Sequence, residues 1–240
     1  MKIIALAAVA AGLAVAGGAS AATNLIVNGS FEDAGVTGTS AITTPWNYSE
    51  TDGTDTSHPA TVIAYNSTAG YPDGAFGEPI PTAPQAVGDP DAPGKFAAYF
   101  VADDATETLS QSIFLNVGFY SIGFSAYIPQ NGFNNSGDAT FTGTVGGKTL
   151  VTFDAHNSTS VIPPQTWETW TGTLDVTTAG FYDTDFAYQS FAAPAADVVI
   201  DNVFIVAGGV PEPASWALMI MGFGAAGALL RRRQSLASAA

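Results

Sequence analysis

The sequence predicts an all-β protein, an antiparallel β-sandwich between two terminal apolar segments. Charged residues make up only 11% of the 240 residues, while glycine and proline are frequent, at 26 and 14. Aromatic residues make up a further 11%, and these and β-branched residues favour strands over helices. Short runs that alternate apolar and polar residues recur between residues 24 and 207, separated by turn-forming clusters. This period of two is typical of half-buried strands.

The N-terminal segment, residues 1–22, has the pattern of a secretory signal peptide. Lys2 supplies a short positive region, Ile3–Ala16 is an apolar run too short to span a bilayer, and Ala19–Ala21 has the A-x-A form of a cleavage site. The mature chain is therefore predicted to begin after this segment, in an exported protein.

The middle region, residues 23–207, is predicted to be the sandwich domain. Six strand-like segments support it: Asn24–Glu32, Glu107–Leu115, Phe119–Ile128, Trp167–Val176, Phe181–Ser190 and Asp197–Val206. The first of them is apolar and then is predicted to turn at Asn28-Gly29. The intervening stretch Ser49–Pro93 is long, proline-rich and acidic, with Thr61–Tyr65 as its best strand candidate. We expect this stretch to form surface loops over one end of an antiparallel sandwich.

The charge of the middle region excludes several classes of partner. Two lysines and twenty acidic residues fall between residues 23 and 210, which gives that region a formal charge of −18. Such a surface repels nucleic acid and anionic membranes, and suits an extracellular environment, divalent cations or neutral glycans. The alternative is that the charge serves only solubility. The chain has no cysteine, so disulfides, thiol catalysis and thiolate metal sites are excluded.

The C-terminal segment, residues 208–240, is predicted to enter a membrane. Trp216–Leu230 is an uncharged apolar run that approaches the length needed to span hydrocarbon, and arginines follow it at once. The positive-inside rule places those arginines in the cytoplasm and the sandwich outside. A buried helix of a soluble domain is the alternative, although such a helix rarely ends in three adjacent arginines.

The order of residues in this segment resembles a known sorting signal. The matching residues are Pro211, Glu212, Pro213, Trp216, Ala217, the glycine-bearing run after them, and Arg231, Arg232 and Arg233. They resemble the PEP-CTERM signal of exported bacterial proteins, in its PEP-x-x-W-A variety. The resemblance implies a transient inner-membrane anchor, recognition by an exosortase, and cleavage near the Pro-Glu-Pro motif. The protein would then reach the cell surface or the extracellular matrix. A GPI signal acts similarly, because its C-terminal tail also enters the membrane and is then removed.

A second resemblance covers the sandwich. The segments "LIVNGSFE", "LNVGFYSIGFSAYI" and "ADVVIDNVFIV" resemble the galactose-binding-like jelly roll, a fold shared by many carbohydrate-binding modules. The resemblance implies a structural calcium ion held by Glu32 and Asp201, with backbone carbonyls completing the shell. Asp201 also lies within an apolar strand, where a carboxylate needs a cation or several hydrogen-bond donors. Hydrogen bonding to loop backbone is the alternative.

Three aromatic residues are candidates for sugar binding. Trp46 and Tyr48 follow the first predicted strand, and Trp167 is out of phase with the core-facing residues of its strand. Exposed rings of this kind stack on pyranose sugars. The alternative for each is a core or loop-capping aromatic residue, which is the commoner role.

Catalytic motifs are not evident. The two histidines, His58 and His156, do not form a metal-spaced pair, and no G-x-S-x-G motif occurs. Asp103 and Asp104 are adjacent, which favours a turn over a paired acid site. The sequence thus predicts a non-catalytic surface or matrix protein that interacts with exopolysaccharide or other surface glycans. Two alternatives are a calcium-stabilised structural or adhesion protein without a sugar pocket, and a glycan-active hydrolase with two carboxylates across an aromatic-lined groove.

Overall fold

Ten strands and one short helix form the described part of the middle region in the computed structural model. The structure describes residues 22–33, 42, 45–51, 58–156, 161–208 and 220–223. The strands are β1 (Asn47–Thr51), β2 (Thr61–Ala64), β3 (Phe96–Phe100), β4 (Thr106–Leu115), β5 (Gly118–Tyr127), β6 (Ala139–Val145), β7 (Lys148–Asp154), β8 (Glu168–Val176), β9 (Gly180–Ser190) and β10 (Val198–Ala207), and helix α1 spans Gln130–Phe133. Residues 220–223 are helical and exposed.

The predicted terminal segments lie almost wholly outside the described residues. This applies to residues 1–21 of the predicted signal peptide. It applies equally to the sorting-motif residues Pro211, Glu212, Pro213, Trp216, Ala217, Arg231, Arg232 and Arg233.

Two five-stranded antiparallel sheets pack face to face. One has the order β1-β4-β9-β6-β7 and the other β2-β3-β10-β5-β8. The inward faces meet in an aromatic core, in which the rings of Phe124 and Phe186 lie 5.0 Å apart, edge to face. Full burial of each such side chain contributes about 1.5–3 kcal/mol. The predicted all-β antiparallel sandwich is confirmed, and Thr61–Tyr65 corresponds to β2.

The strand predicted within Asn24–Glu32 is wrong, whereas the turn predicted at Asn28-Gly29 is present. Only Asn24 forms a bridge, to Val206 of β10, and the remainder is turns. Asn28 and Phe31 adopt the left-handed conformation, with φ of 54° and 57°, so the chain cannot continue as a strand through them. The segment still lies beside the last strand, because Val203 N–H donates to the Gly29 carbonyl at 3.0 Å.

Gly29→Ala is expected to lower the free energy of unfolding by about 2 kcal/mol. A Cβ atom at Gly29 would lie 2.0 Å from the Val203 carbonyl oxygen, so the turn segment would have to move away from β10. Urea unfolding followed by tryptophan fluorescence measures the change. Gly70→Ala is the control, because no atom lies within 4 Å of its added Cβ, and equal stability of the two variants would contradict the prediction.

The sandwich has two distinct ends. Asp197 immediately precedes β10, and Gly208 follows it. The ten residues of β10 separate these ends by about 33 Å. We call the first the loop end, which also carries α1, and the second the exit end, where the β4–β5 turn lies and the chain leaves toward the C-terminal segment.

Candidate functional site

A cleft of about 240 Å³ opens at the loop end. Its walls combine aromatic, amide and carboxyl side chains from separate parts of the chain: His58, Phe76, Val101, Asp103, Asn131, Asn135, Pro194 and Asp197. This mixture of ring surface and hydrogen-bonding groups is typical of small-molecule sites.

Two rings, His58 and Phe76, form the aromatic wall of this cleft, and Tyr71 packs against both of them. Tyr71 stacks on Phe76 with centroids 6.0 Å apart, and His58 packs edge-on against Tyr71 at 4.9 Å. Phe76 remains 52% exposed. Its loop is held in place because Asn131 Nδ2 donates to the Ala75 carbonyl at 2.8 Å, and both oxygens of Glu78 accept backbone N–H groups at the start of α1.

The opposite wall is polar. Asp103 lies in a bend, as predicted, and its Oδ1 accepts the Ala195 N–H at 2.7 Å. Asn135 Nδ2 donates to the Ala195 carbonyl at 2.6 Å. These contacts tie the side chains to the loop that leads into β10, so the polar groups are fixed before any ligand arrives.

Asp197 forms the floor of the cleft as a buried acid. Its side chain is 3% exposed, and Oδ2 accepts a hydrogen bond from the Tyr99 hydroxyl. Burial raises the pKa of Asp197 to about 8, and the charge of Asp103 adds to the rise. Asp197 is therefore largely protonated at neutral pH, and its carboxyl group can donate a hydrogen bond as well as accept one.

A second buried acid lies next to a larger cleft. That cleft has a volume of about 420 Å³ and is lined by Ile42, Tyr48, Pro59, Ala60, Thr61, Tyr71 and Pro72. Tyr48 Oη lies 2.7 Å from Glu107 Oε1 and 3.0 Å from Glu50 Oε2. Glu107 Oε1 also accepts the Ala60 N–H. Burial raises the pKa of Glu107 to about 7.

The predicted calcium ligands occupy neighbouring positions. Asp201 lies at the bulge of β10, fully buried, and Oδ2 accepts a hydrogen bond from Tyr65. Its Oδ1 and the Oδ1 of Asn202 are buried without a hydrogen-bond partner among the described residues. Glu32 Oε1 accepts the N–H groups of Lys95 and Phe96, and the charge of Glu32 helps to raise the pKa of Asp201.

These groups fit a cation that takes part of its coordination shell from oxygens other than those of the Glu32 and Asp201 carboxylates. The described residues contain no cluster of three His, Cys, Asp or Glu side chains suited to a metal. A calcium ion here would need amide or backbone oxygens beside the two carboxylates, and Asn202 Oδ1 is one such oxygen. Calcium would supply the positive charge that balances the buried Asp201 carboxylate.

The predicted sugar-binding aromatics are not brought together. Trp46 is 3% exposed, stacks on Phe31 at 5.5 Å and donates from Nε1 to the Asn28 carbonyl. The prediction that Trp46 offers its ring to a sugar is therefore corrected, because the ring belongs to the core. Tyr48 lies in β1 at the second cleft, whereas Trp167 is half-buried and donates to the Pro81 carbonyl at 2.8 Å.

Comparison with known proteins identifies the C-terminal segment. Residues 209–234 match the family model described as the PEP-CTERM protein-sorting motif, so the predicted sorting signal is confirmed. The motif indicates an exported protein with a C-terminal anchor and implies processing by an exosortase. Among the residues that the structure describes, no helix is long and apolar enough to cross a membrane.

Several solved structures are similar to the sandwich. They include the carbohydrate-binding module TmCBM61 in complex with β-1,4-galactotriose, with 15% identity and a TM-score of 0.43 over 78% of this chain and 99% of that one. A family 16 carbohydrate-binding module has 18% identity and a TM-score of 0.37, over 76% and 99%. A cyclase from Fischerella sp. TAU has 16% identity and a TM-score of 0.47, over 78% and 98%. No curated protein matches the chain.

Proposed function

We propose that this chain is an exported, exosortase-processed, non-catalytic protein that binds neutral glycans at the cell surface or in the extracellular polymer matrix. The observation that carries the proposal is the cleft at the loop end, where an aromatic wall faces fixed amides and carboxyl groups. The sorting motif supplies the route to that location.

The chemistry of the cleft favours a neutral sugar. The rings of His58 and Phe76 offer apolar surface to the C–H face of a pyranose, while Asn131 and Asn135 stand among the polar groups that would meet its hydroxyls. The protonated carboxyl of Asp197 adds a donor at the floor. The strong negative charge of the domain disfavours anionic polysaccharides.

The size of the cleft limits the ligand to a short segment. Pockets for drug-sized ligands have volumes of about 300–1,000 Å³, and this cleft is smaller. We therefore propose that one sugar ring, at a chain end or a branch, enters the cleft, and that the rest of the polysaccharide remains in solvent.

Phe76→Ala is expected to weaken binding of a neutral glycan about tenfold, because it removes the most exposed ring of the aromatic wall. A panel of neutral polysaccharides screened by glycan array, followed by calorimetry on the best ligand, measures the effect. Phe114→Ala is the matched control: Phe114 is 51% exposed, nearly as much as Phe76, but lies at the exit end. Wild-type protein that binds no polysaccharide, yet stays on the cell surface, would favour the structural or adhesion alternative.

A glycan-active hydrolase is the second candidate, and one observation favours it. Asp103 and Asp197 both line the cleft, beside its aromatic wall. Burial raises the pKa of Asp197, and a general acid requires a raised pKa. Release of reducing ends from a bound glycan, abolished by Asp197→Asn, would establish hydrolysis. Unchanged glycan after prolonged incubation would leave binding as the function.

The calcium ion remains part of the proposal as a structural element. Glu32 and Asp201 would hold it, with Asn202 Oδ1 as a further ligand. Its role would be to stabilise the junction between the N-terminal turn segment and β10, away from the sugar cleft.

A further inference from the structure

Four apolar side chains are exposed together at the exit end of the sandwich. They are Phe114, Val117, Phe119 and Phe181, each between 51% and 73% exposed, and we call them the exit rim. Phe114 and Phe181 are cross-strand partners whose rings meet edge to face at 5.4 Å. Scattered single apolar residues on a surface are ordinary, but a group at one end indicates an interaction site.

The exit rim surrounds the β4–β5 turn. Phe114 lies near the end of β4, Val117 lies in the turn, and Phe119 lies near the start of β5. Because Phe114 and Phe119 point outward from different sheets, the rim covers the tip of the sandwich and not one flat face. Such a tip suits a shallow contact with a surface larger than itself.

The chain leaves the sandwich at this same tip. Gly208 N–H donates to the Phe119 carbonyl at 2.7 Å, and Gly208 is the last residue of the described sandwich. Eight residues further on, Trp216 begins the apolar run of the sorting segment. An extended chain of that length reaches at most about 28 Å, so an inserted sorting segment would keep the exit rim close to the bilayer.

We infer that the exit rim rests in the interfacial layer of the bilayer that holds the sorting segment. The inference rests on the membrane anchoring in the proposed function. Aromatic side chains are favoured at this depth. Asp175 pairs with Phe119 in register, and Asp183 lies two residues beyond Phe181 on the same face of β9. These carboxylates disfavour anionic lipid, so the expected surface is zwitterionic.

This orientation has a consequence for the glycan cleft. The cleft lies at the opposite end of β10, about 33 Å from the exit end. A sandwich whose exit rim lies in the interfacial layer would therefore hold the cleft away from the lipid for as long as the chain is anchored.

The absence of cysteine allows a direct test on the full chain. Val117→Cys and Phe191→Cys are each labelled with a nitroxide, and the chain is reconstituted in phosphatidylcholine nanodiscs. Val117 and Phe191 are similarly exposed, at 65% and 62%, but Phe191 lies at the loop end. We expect the Val117 label to be several-fold less accessible to a water-soluble nickel relaxant, and more accessible to oxygen, than the Phe191 label.

A second variant separates lipid contact from simple proximity. The combined substitutions Phe114→Ser, Phe119→Ser and Phe181→Ser, in the Val117→Cys background, should restore nickel accessibility, with circular dichroism confirming that the sandwich is folded. Equal accessibility of the two labels in chains that co-purify with nanodiscs would overturn the inference and leave anchoring intact. Spin–spin coupling between Val117 labels would overturn it in favour of a second copy of the chain. Chains that fail to co-purify would overturn both the anchoring and the inference.

Discussion

Glu107→Gln is expected to gain about 3 kcal/mol in free energy of unfolding relative to wild type as the pH rises from 4 to 8. Glutamine reproduces the protonated carboxyl in shape and in having a donor. Its oxygen can still accept from Tyr48 and from the Ala60 N–H, which contact Glu107 Oε1 in the wild type. The substitution removes the ionisation of the buried acid and keeps these two contacts, but it places the amide nitrogen where Glu107 Oε2 is buried without a hydrogen-bond partner among the described residues. That cost does not depend on pH, so the pH-dependent part of the difference reports the ionisation.

The sign follows from the direction of the pKa shift. Burial raises the pKa of Glu107 from 4.5 to about 7. Below pH 4.5 the folded and unfolded chains both carry the proton, so the shift has no effect on stability. Between the two values the unfolded chain releases the proton while the folded chain keeps it, so stability falls as pH rises. Above pH 7 the loss is complete and constant.

A contact in the structure independently supports a proton on this acid pair. Tyr48 Oη lies within hydrogen-bond distance of both Glu50 Oε2 and Glu107 Oε1. A phenol has one proton to donate, so a proton on Glu107 allows both oxygen–oxygen contacts to be hydrogen bonds.

Urea unfolding between pH 4 and pH 9 measures this effect. The gap between Glu107→Gln and wild type should open between pH 4.5 and pH 7. Asp175→Asn is the control, because this exposed carboxylate has no comparable burial penalty. Asp197, with its pKa raised to about 8, should add a further fall in wild-type stability at higher pH. Wild-type stability that rises from pH 5 to pH 8 would contradict the prediction.

The strands that bury only one face could be predicted from the sequence. In β4, Leu109 and Leu115 lie inward and Ser112 lies outward, and that alternation is visible in the sequence. β1 escaped prediction because its sequence, NYSET, contains no aliphatic residue. The strand predicted within Asn24–Glu32 failed because its apolar content does not reveal the left-handed backbone at Phe31, although the turn at Asn28-Gly29 was predicted.

The cleft could not be predicted in the same way. Its residues come from five separate parts of the chain, which only the folded loops bring together. One signal was present: Asp197 stands directly before an apolar strand, where a carboxylate costs free energy unless it is protonated or paired. For Trp46 the core alternative is the correct one, and the sequence could not decide between the two because its partner in the core, Phe31, lies fifteen positions earlier in the sequence.

Removal of calcium is expected to lower the unfolding midpoint of the wild-type protein by several degrees. An ion that binds only the folded chain stabilises it by about 2.7 kcal/mol at one hundred times its dissociation constant. Without the ion, Asp201 is a buried acid whose pKa burial holds well above its usual range, and its Oδ1 has no hydrogen-bond partner among the described residues. The calcium-free protein therefore keeps this acid protonated or loses stability.

Asp201→Asn should be less stable than wild type in calcium and more stable than wild type in chelator. With calcium, the variant should be less stable than wild type, because a neutral amide binds calcium more weakly than a carboxylate. With chelator, the variant should be the more stable of the two at pH 8, because asparagine has no proton to lose. Thermal melts of both proteins, with and without chelator, measure the crossing, and Asp175→Asn should follow the wild type in both. A wild-type midpoint that chelator does not change would contradict calcium binding and leave Asp201 as a protonated partner of Tyr65.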